Sequence, residues 1–130
     1  PGAACVGWED DSTCLLTLRN KDGKEGAVLL EDEYQYESGE EAGRKVETCI
    51  RNLDNVSAEP ASSRRWGITF VSATGLPSGT PKAFADKVNK PVADYLRKGG
   101  RRICGIVFID FVGKPDGKAL VAYLINSNRL

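Results

Sequence analysis

Apolar residues gather in three runs, and each run turns polar at its carboxyl end. They are "GAVLLEDEY" from Gly26, "WGITFVSATG" from Trp66 and "RICGIVFIDF" from Arg102. Near-continuous apolar runs of this length predict strands buried on both faces. Strands are expected near Ala27–Asp32, Gly67–Ser72 and Ile103–Asp110. Between them the apolar spacing becomes helical. Ser38 can cap a helix, with Glu40 and Glu41 in its first turn. Ala42, Val46, Cys49, Ile50 and Leu53 then share one face, and Asn52 to Ser63 reads as a loop. Gly75-Leu76-Pro77-Ser78-Gly79 is a second loop. Phe84, Val88, Val92, Tyr95 and Leu96 mark a helix, or two short ones meeting near Pro91, closed by Gly99-Gly100. A last helix is expected over Lys118 to Asn128, with Leu120, Val121, Leu124 and Ile125 as its apolar face. Residues 1–23 read as an N-terminal loop segment around one short strand, Cys14 to Leu18, with a turn at Lys21-Asp22-Gly23-Lys24.

Strand–helix alternation implies a parallel sheet covered by helices, an α/β fold. Three strands are too few to close a barrel, and alone they leave parallel edges open. In such folds ligand groups collect at the carboxyl ends of strands. Those ends carry Glu31, Asp32, Glu33 and Tyr34, then Ser72 and Thr74, then Asp110. Alternation puts Asp32 and Tyr34 on one face and Glu31 and Glu33 on the other. The bland alternative is that these acids cap helices or meet solvent.

Charge narrows the choices. The 18 basic and 18 acidic residues cancel, so nothing points to nucleic acid. No apolar run approaches a membrane span. A chain that starts at Pro1 rather than Met is expected of a processed or trimmed protein. The four cysteines, Cys5, Cys14, Cys49 and Cys104, form no CxxC pair, and there is no histidine, so a zinc site is not expected. An even count without metal spacing leans towards disulfides, Cys5–Cys14 first, and towards secretion; buried thiols are the alternative. The sequon Asn55-Val56-Ser57 agrees. The missing histidine matters most, because histidine is the usual acid and base near neutral pH. A chain without one uses other groups, borrows an imidazole, or does not catalyse by itself.

"GAVLLEDEYQY", "WGITFVSATGLPSGTPKAFADKVNKPVADYL" and "RRICGIVFIDFVGKPDGKALVAYLINSN" together resemble the C-terminal half of the phosphatidylinositol-specific phospholipase C X-domain. The likeness covers roughly residues 24–128 in order, spacing and loop character, so that 24–130 reads as a phospholipase C-like half-barrel. It implies a (β/α) TIM-type barrel completed by another chain or segment. It also implies cleavage of an inositol phospholipid, or a related phosphodiester, by attack of the neighbouring inositol hydroxyl. By resemblance, Asp110 is the aspartate that holds a base histidine in its working tautomer. Asp32 and Tyr34 match the Asp-x-Tyr element that contacts the inositol ring, and Ser72 stands on the matching strand. No metal cofactor is implied for the bacterial form, whereas eukaryotic signalling enzymes use calcium. Both catalytic histidines and an arginine belong to the half that this sequence lacks. The expected partners are therefore a complementary N-terminal chain carrying them, a phospholipid headgroup and a peripheral membrane contact. The isolated chain is expected to be inactive. The other reading is an inactive headgroup- or sugar-binding, or toxin-like, protein on the same scaffold.

Overall fold

The three apolar runs are parallel neighbours in the computed structural model, which describes residues 4–6, 8–60, 62–63, 65–75, 79–100 and 102–127. A five-stranded sheet has the order β1 (Ala4–Val6), β2 (Thr13–Arg19), β3 (Glu25–Glu31), β5 (Arg65–Phe70), β7 (Ile106–Phe108). β3 pairs with β5, and β5 with β7, in parallel. β1 and β2 form an antiparallel hairpin that extends the sheet beyond β3, so the sheet is mixed. The expected strand at Cys14–Leu18 is therefore a full member of the sheet. Two short strands, β4 (Gln35–Tyr36) and β6 (Thr74–Gly75), pair beside it.

Helices α1 (Ala42–Ala58), α2 (Pro81–Lys98) and α3 (Pro115–Ser127) follow β3, β5 and β7 in turn. Ser38 does cap the entry to α1: its hydroxyl accepts from Glu40 N–H at 3.2 Å, while the Glu41 carboxylate reaches back to the amides of Glu37 and Ser38. α1 runs through the segment expected as a loop from Asn52, because Leu53 and Val56 continue its buried stripe. Asn52 is itself buried there, its amide shared between the Ile68 carbonyl at 2.9 Å, Thr69 Oγ1 at 3.0 Å and the Leu29 carbonyl at 3.3 Å. The sequon's Asn55 is exposed on this helix, not on a loop. Pro91 does not split α2, which is one helix capped by Thr80. α3 begins at Pro115, where proline's fixed φ suits a helix start. Tyr123, not Ile125, faces the core, and Ile125 is exposed. The loop residues 76–78 and Asn128 lie outside the described residues.

The sheet divides two apolar clusters. On the helix side, Cys49, Leu53, Phe84, Val88, Leu96 and Leu120 are fully buried, each of the valine, leucine and phenylalanine side chains contributing about 1.5–3 kcal/mol. On the other face, Leu16, Val28 and Leu30 pack with Cys14, Leu18, Ile68 and Phe70. Phe70 stacks on Phe108 across the parallel pair, with ring centroids 4.6 Å apart.

The cysteine expectation is corrected. Cys14, Cys49 and Cys104 are free thiols. Cys5, whose side chain lies outside the described residues, stands opposite Leu18 in the hairpin register. That is four residues from Cys14 along β2, about 13 Å at strand rise, beyond the Cα separation a disulfide spans. β7 begins only after Gly105, which has φ 68° and no room for a Cβ beside the Gly67 carbonyl. Cys104 therefore precedes the strand and turns into the helix-side core with Cys49.

Candidate functional site

The carboxyl end of β3 sends alternate side chains to opposite faces. Glu31 goes to the helix side and is fully buried. Lys45 of α1, equally buried, meets it at 2.6 Å and also donates to the Glu33 carbonyl. Thr48 Oγ1 and Cys49 Sγ lie 3.3 and 3.7 Å from the same carboxylate. Burial lifts the Glu31 pKa above its ordinary value, and the Lys45 charge only partly offsets it. Glu31 and Lys45 join helix to sheet.

Asp32 follows directly after β3, and alternation puts it on the face of Leu30. The loop between β1 and β2 reaches over it. Trp8 Nε1 donates to Asp32 Oδ2 at 3.0 Å, and the Asp32 amide donates to the Ser12 carbonyl at 2.8 Å. Asp11, at φ 51°, accepts the amides of Tyr34 and Gln35 through one oxygen, at 2.6 and 2.8 Å. An aspartate tolerates the left-handed region better than most residues do. The Tyr34 hydroxyl donates to Asp10 Oδ1 at 2.9 Å and accepts from Gln35 Nε2 at 3.0 Å. The Gln35 bond favours the phenolate, but the bond to Asp10 and the charges of Asp10 and Asp11 outweigh it, holding the Tyr34 pKa above its ordinary value. A cleft of about 240 Å³ opens beside this group, lined by Tyr34, Gln35, Tyr36, Glu37, Thr74 and Gly75.

Ser72 and Asp110 lie farther along the same sheet end, both half-buried. Val71 N–H still pairs with the Phe108 carbonyl at 2.8 Å, so the two strands stay in step up to these residues. Val107 and Ile109 pack into the helix-side core, which puts Asp110 on the Phe108 side. The Asp110 carbonyl accepts from Asn89 Nδ2 at 3.1 Å, and its carboxylate bonds to no other described residue. One strand, β5, lies between the strands that Asp32 and Asp110 follow, which puts them two strand spacings apart, roughly 10 Å. The β1–β2 loop holds both Asp32, through Trp8, and Tyr34, through Asp10, while Ser72 and Asp110 share their end of the sheet without bonding to either.

Trp8, Asp10 and Asp11 were not among the residues expected at the site. An aromatic beside three acids in a loop was the available signal. Lys45 and Asn89 were also missed, and their signal was a polar residue on the buried stripe of an amphipathic helix. Chemically, Asp10, Asp32 and Tyr34 offer acceptors and one hydroxyl beside a half-exposed indole, a set suited to a polyhydroxylated ring. Among the described residues no three His, Cys, Asp or Glu side chains are grouped to hold a metal ion. No described helix is long and apolar enough to cross a membrane.

No protein-family model and no curated protein matches the sequence. Solved structures do match. A pentafluorophenylalanine-containing variant of the phosphatidylinositol-specific phospholipase C of Staphylococcus aureus superposes with TM-score 0.77 and 22% identity, covering 96% of this chain and 40% of that one. A His-to-Tyr variant of the same enzyme gives the same values. A further structure, concerned with modulation of that enzyme's membrane binding, gives TM-score 0.76 and 21% identity over the same shares. The chain therefore has a phospholipase C-like fold, of the TIM-barrel kind, and spans 40% of the length of the chains it matches.

Proposed function

We propose that this chain is the C-terminal part of a phospholipase C-like phosphodiesterase that cleaves an inositol phospholipid or a related phosphodiester. The catalytic histidines come from an N-terminal segment or partner chain. Asp110 orients the base imidazole, as the acid does in other triads. Asp32, Tyr34 and Asp10 bind ring hydroxyls, and Trp8 offers its indole face to the ring. Ser72 lines the same sheet end.

One observation carries the reading. Among the described residues nine large apolar side chains are exposed, and five of them, Ile103, Ile106, Phe108, Phe111 and Val112, fall in one segment around β7. β7 is the open edge on the parallel side of the sheet. Open apolar edges of this kind are covered in native proteins, and the remaining strands of a barrel would cover this one beside Asp110. Export from the cell is part of the proposal. The free thiols remove one support for it, and the exposed sequon is what remains.

The test is purification from the natural source, following phosphatidylinositol cleavage against a denaturing gel and intact mass. Activity should elute with polypeptide that carries histidines in addition to this sequence. A stable, inactive monomer of this chain alone, binding inositol or a glycan, would favour the binding-protein reading instead.

A further inference from the structure

Beyond the end of β7 the backbone takes a conformation that bulky residues avoid. Phe111 has φ 55°, in the left-handed region. The turn is held from two sides. From α2, Asn89, only 2% exposed, donates to the Asp110 carbonyl at 3.1 Å. From α3, Gly117 comes so close that a Cβ there would stand 2.6 Å from the Phe111 carbonyl oxygen and 2.9 Å from the Val112 Cα. The Lys114 amide bonds the same Phe111 carbonyl at 3.0 Å.

Asn89 is poorly chosen for stability. Its Oδ1 is buried and has no partner among the described residues, and an unsatisfied buried acceptor weakens a fold. A leucine would fill a similar volume on a stripe that already carries Val88 and Val92. What the amide does accomplish is one bond, to the residue before the strained one. Strained backbone persists where its surroundings over-determine it, and it clusters at functional sites.

We infer that Asn89, with Gly117 packed behind the turn, is a positioning residue for Asp110. It holds the Asp110–Phe111 peptide so that the carboxylate stays on the Phe108 side of the sheet, towards the face that carries Asp32. Since this takes Asp110 as the working carboxylate, it rests on the function proposed above; the backbone measurement that follows does not.

The experiment is Asn89→Leu in the full chain, studied by NMR, and in the histidine-complemented form, studied by kinetics. The Lys114 amide should exchange with solvent about tenfold faster or more, while amides of α1 keep their rates. The Asp110 carboxyl carbon resonance should move. Phe111→Gly removes the left-handed penalty and, since Phe111 is exposed, little packing; in the double variant it should restore both signals. In the complemented form kcat should fall about tenfold or more with KM unchanged, and the same glycine should recover part of it. If Asn89→Leu does not fold, Asn89→Ser carries the same test. Unchanged Lys114 exchange and an unmoved Asp110 resonance would overturn the inference whatever the activity. A loosened turn with undiminished kcat would overturn the positioning role. A loosened turn and a moved Asp110 resonance, in a protein that cleaves no phosphodiester in any assembly, would uphold Asn89 as the group that positions Asp110 and sink the proposed function instead.

Discussion

Lys45 Nζ lies 2.6 Å from Glu31 Oε1, and neither side chain is exposed to solvent. The pair sits at the carboxyl end of β3, directly behind Asp32. Two charges removed from water need each other more than the fold needs either. Lys45→Met should therefore destabilise the protein by about 3–5 kcal/mol, and Glu31→Gln combined with Lys45→Met should recover most of that loss. Denaturant unfolding of the single variant, the double variant and the unaltered protein measures it.

The same pair sets a pH dependence. Burial holds the Glu31 carboxyl above the value of 4.5 that it has when unfolded. A group with a raised pKa binds its proton more tightly in the fold, so its contribution to stability falls as pH rises from about 4.5 through the folded value, and then levels off. Lys45→Met removes the charge that opposes this shift. The loss in that variant should be smaller near pH 4 than at pH 7, and unfolding at the two pH values should show it. An equal loss at both would mean that Glu31 is not the buried acid the structure describes.

The strands and the helical stripes were legible because burial on both faces of a parallel strand leaves an apolar run, and burial on one face of a helix leaves a stripe. The mixed sheet was not. β2 shows one exposed face, with Leu15 outward and Leu16 buried; that alternation marks a strand, but nothing local says that it joins the sheet antiparallel beside β3. The candidate site was half legible. Asp32, Tyr34 and Asp110 could be found from strand ends, which is local information. Trp8 meets Asp32 across 24 residues, and only the Thr13–Glu31 register of β2 on β3 puts the loop there. Lys45 stands on the buried stripe of α1, which marks it as unusual, but nothing local says that a carboxylate of β3 waits for it inside.

Trp8 and Tyr34 should act on ligand binding more than on folding. Trp8→Phe keeps a ring and removes the N–H that fixes Asp32; Tyr34→Phe removes the hydroxyl held by Asp10 and Gln35. Each loses about one hydrogen bond's worth of organisation, roughly 0.5–1.5 kcal/mol, or about 2- to 13-fold in inositol or inositol phosphate affinity. Calorimetric titration of the two variants reads this out. Unchanged affinity in both would remove the β1–β2 loop from the site.

The thiols should differ in reactivity. Cys14 is half-buried, whereas Cys49 and Cys104 are buried, and burial pushes the pKa of both upwards. The thiolate is the reactive form. Of these three thiols, iodoacetamide added to the folded protein at pH 8, followed by peptide mapping, should label Cys14 first and the other two only on unfolding. Cys49 labelled as fast as Cys14 would contradict the packing of α1 on the sheet.

The central claim is that Asp110 works on an imidazole this chain does not contain. The most direct measurement is the rate of inositol phosphate release from phosphatidylinositol vesicles by three samples: the isolated chain, the chain joined to a histidine-bearing N-terminal half, and the joined form with Asp110→Asn. The first should not cleave, the second should, and the third should lose roughly four orders of magnitude in rate with the fold intact, the scale seen when an orienting acid is neutralised. Robust cleavage by the isolated, histidine-free chain, or a full rate from the Asp110→Asn form, would contradict that claim.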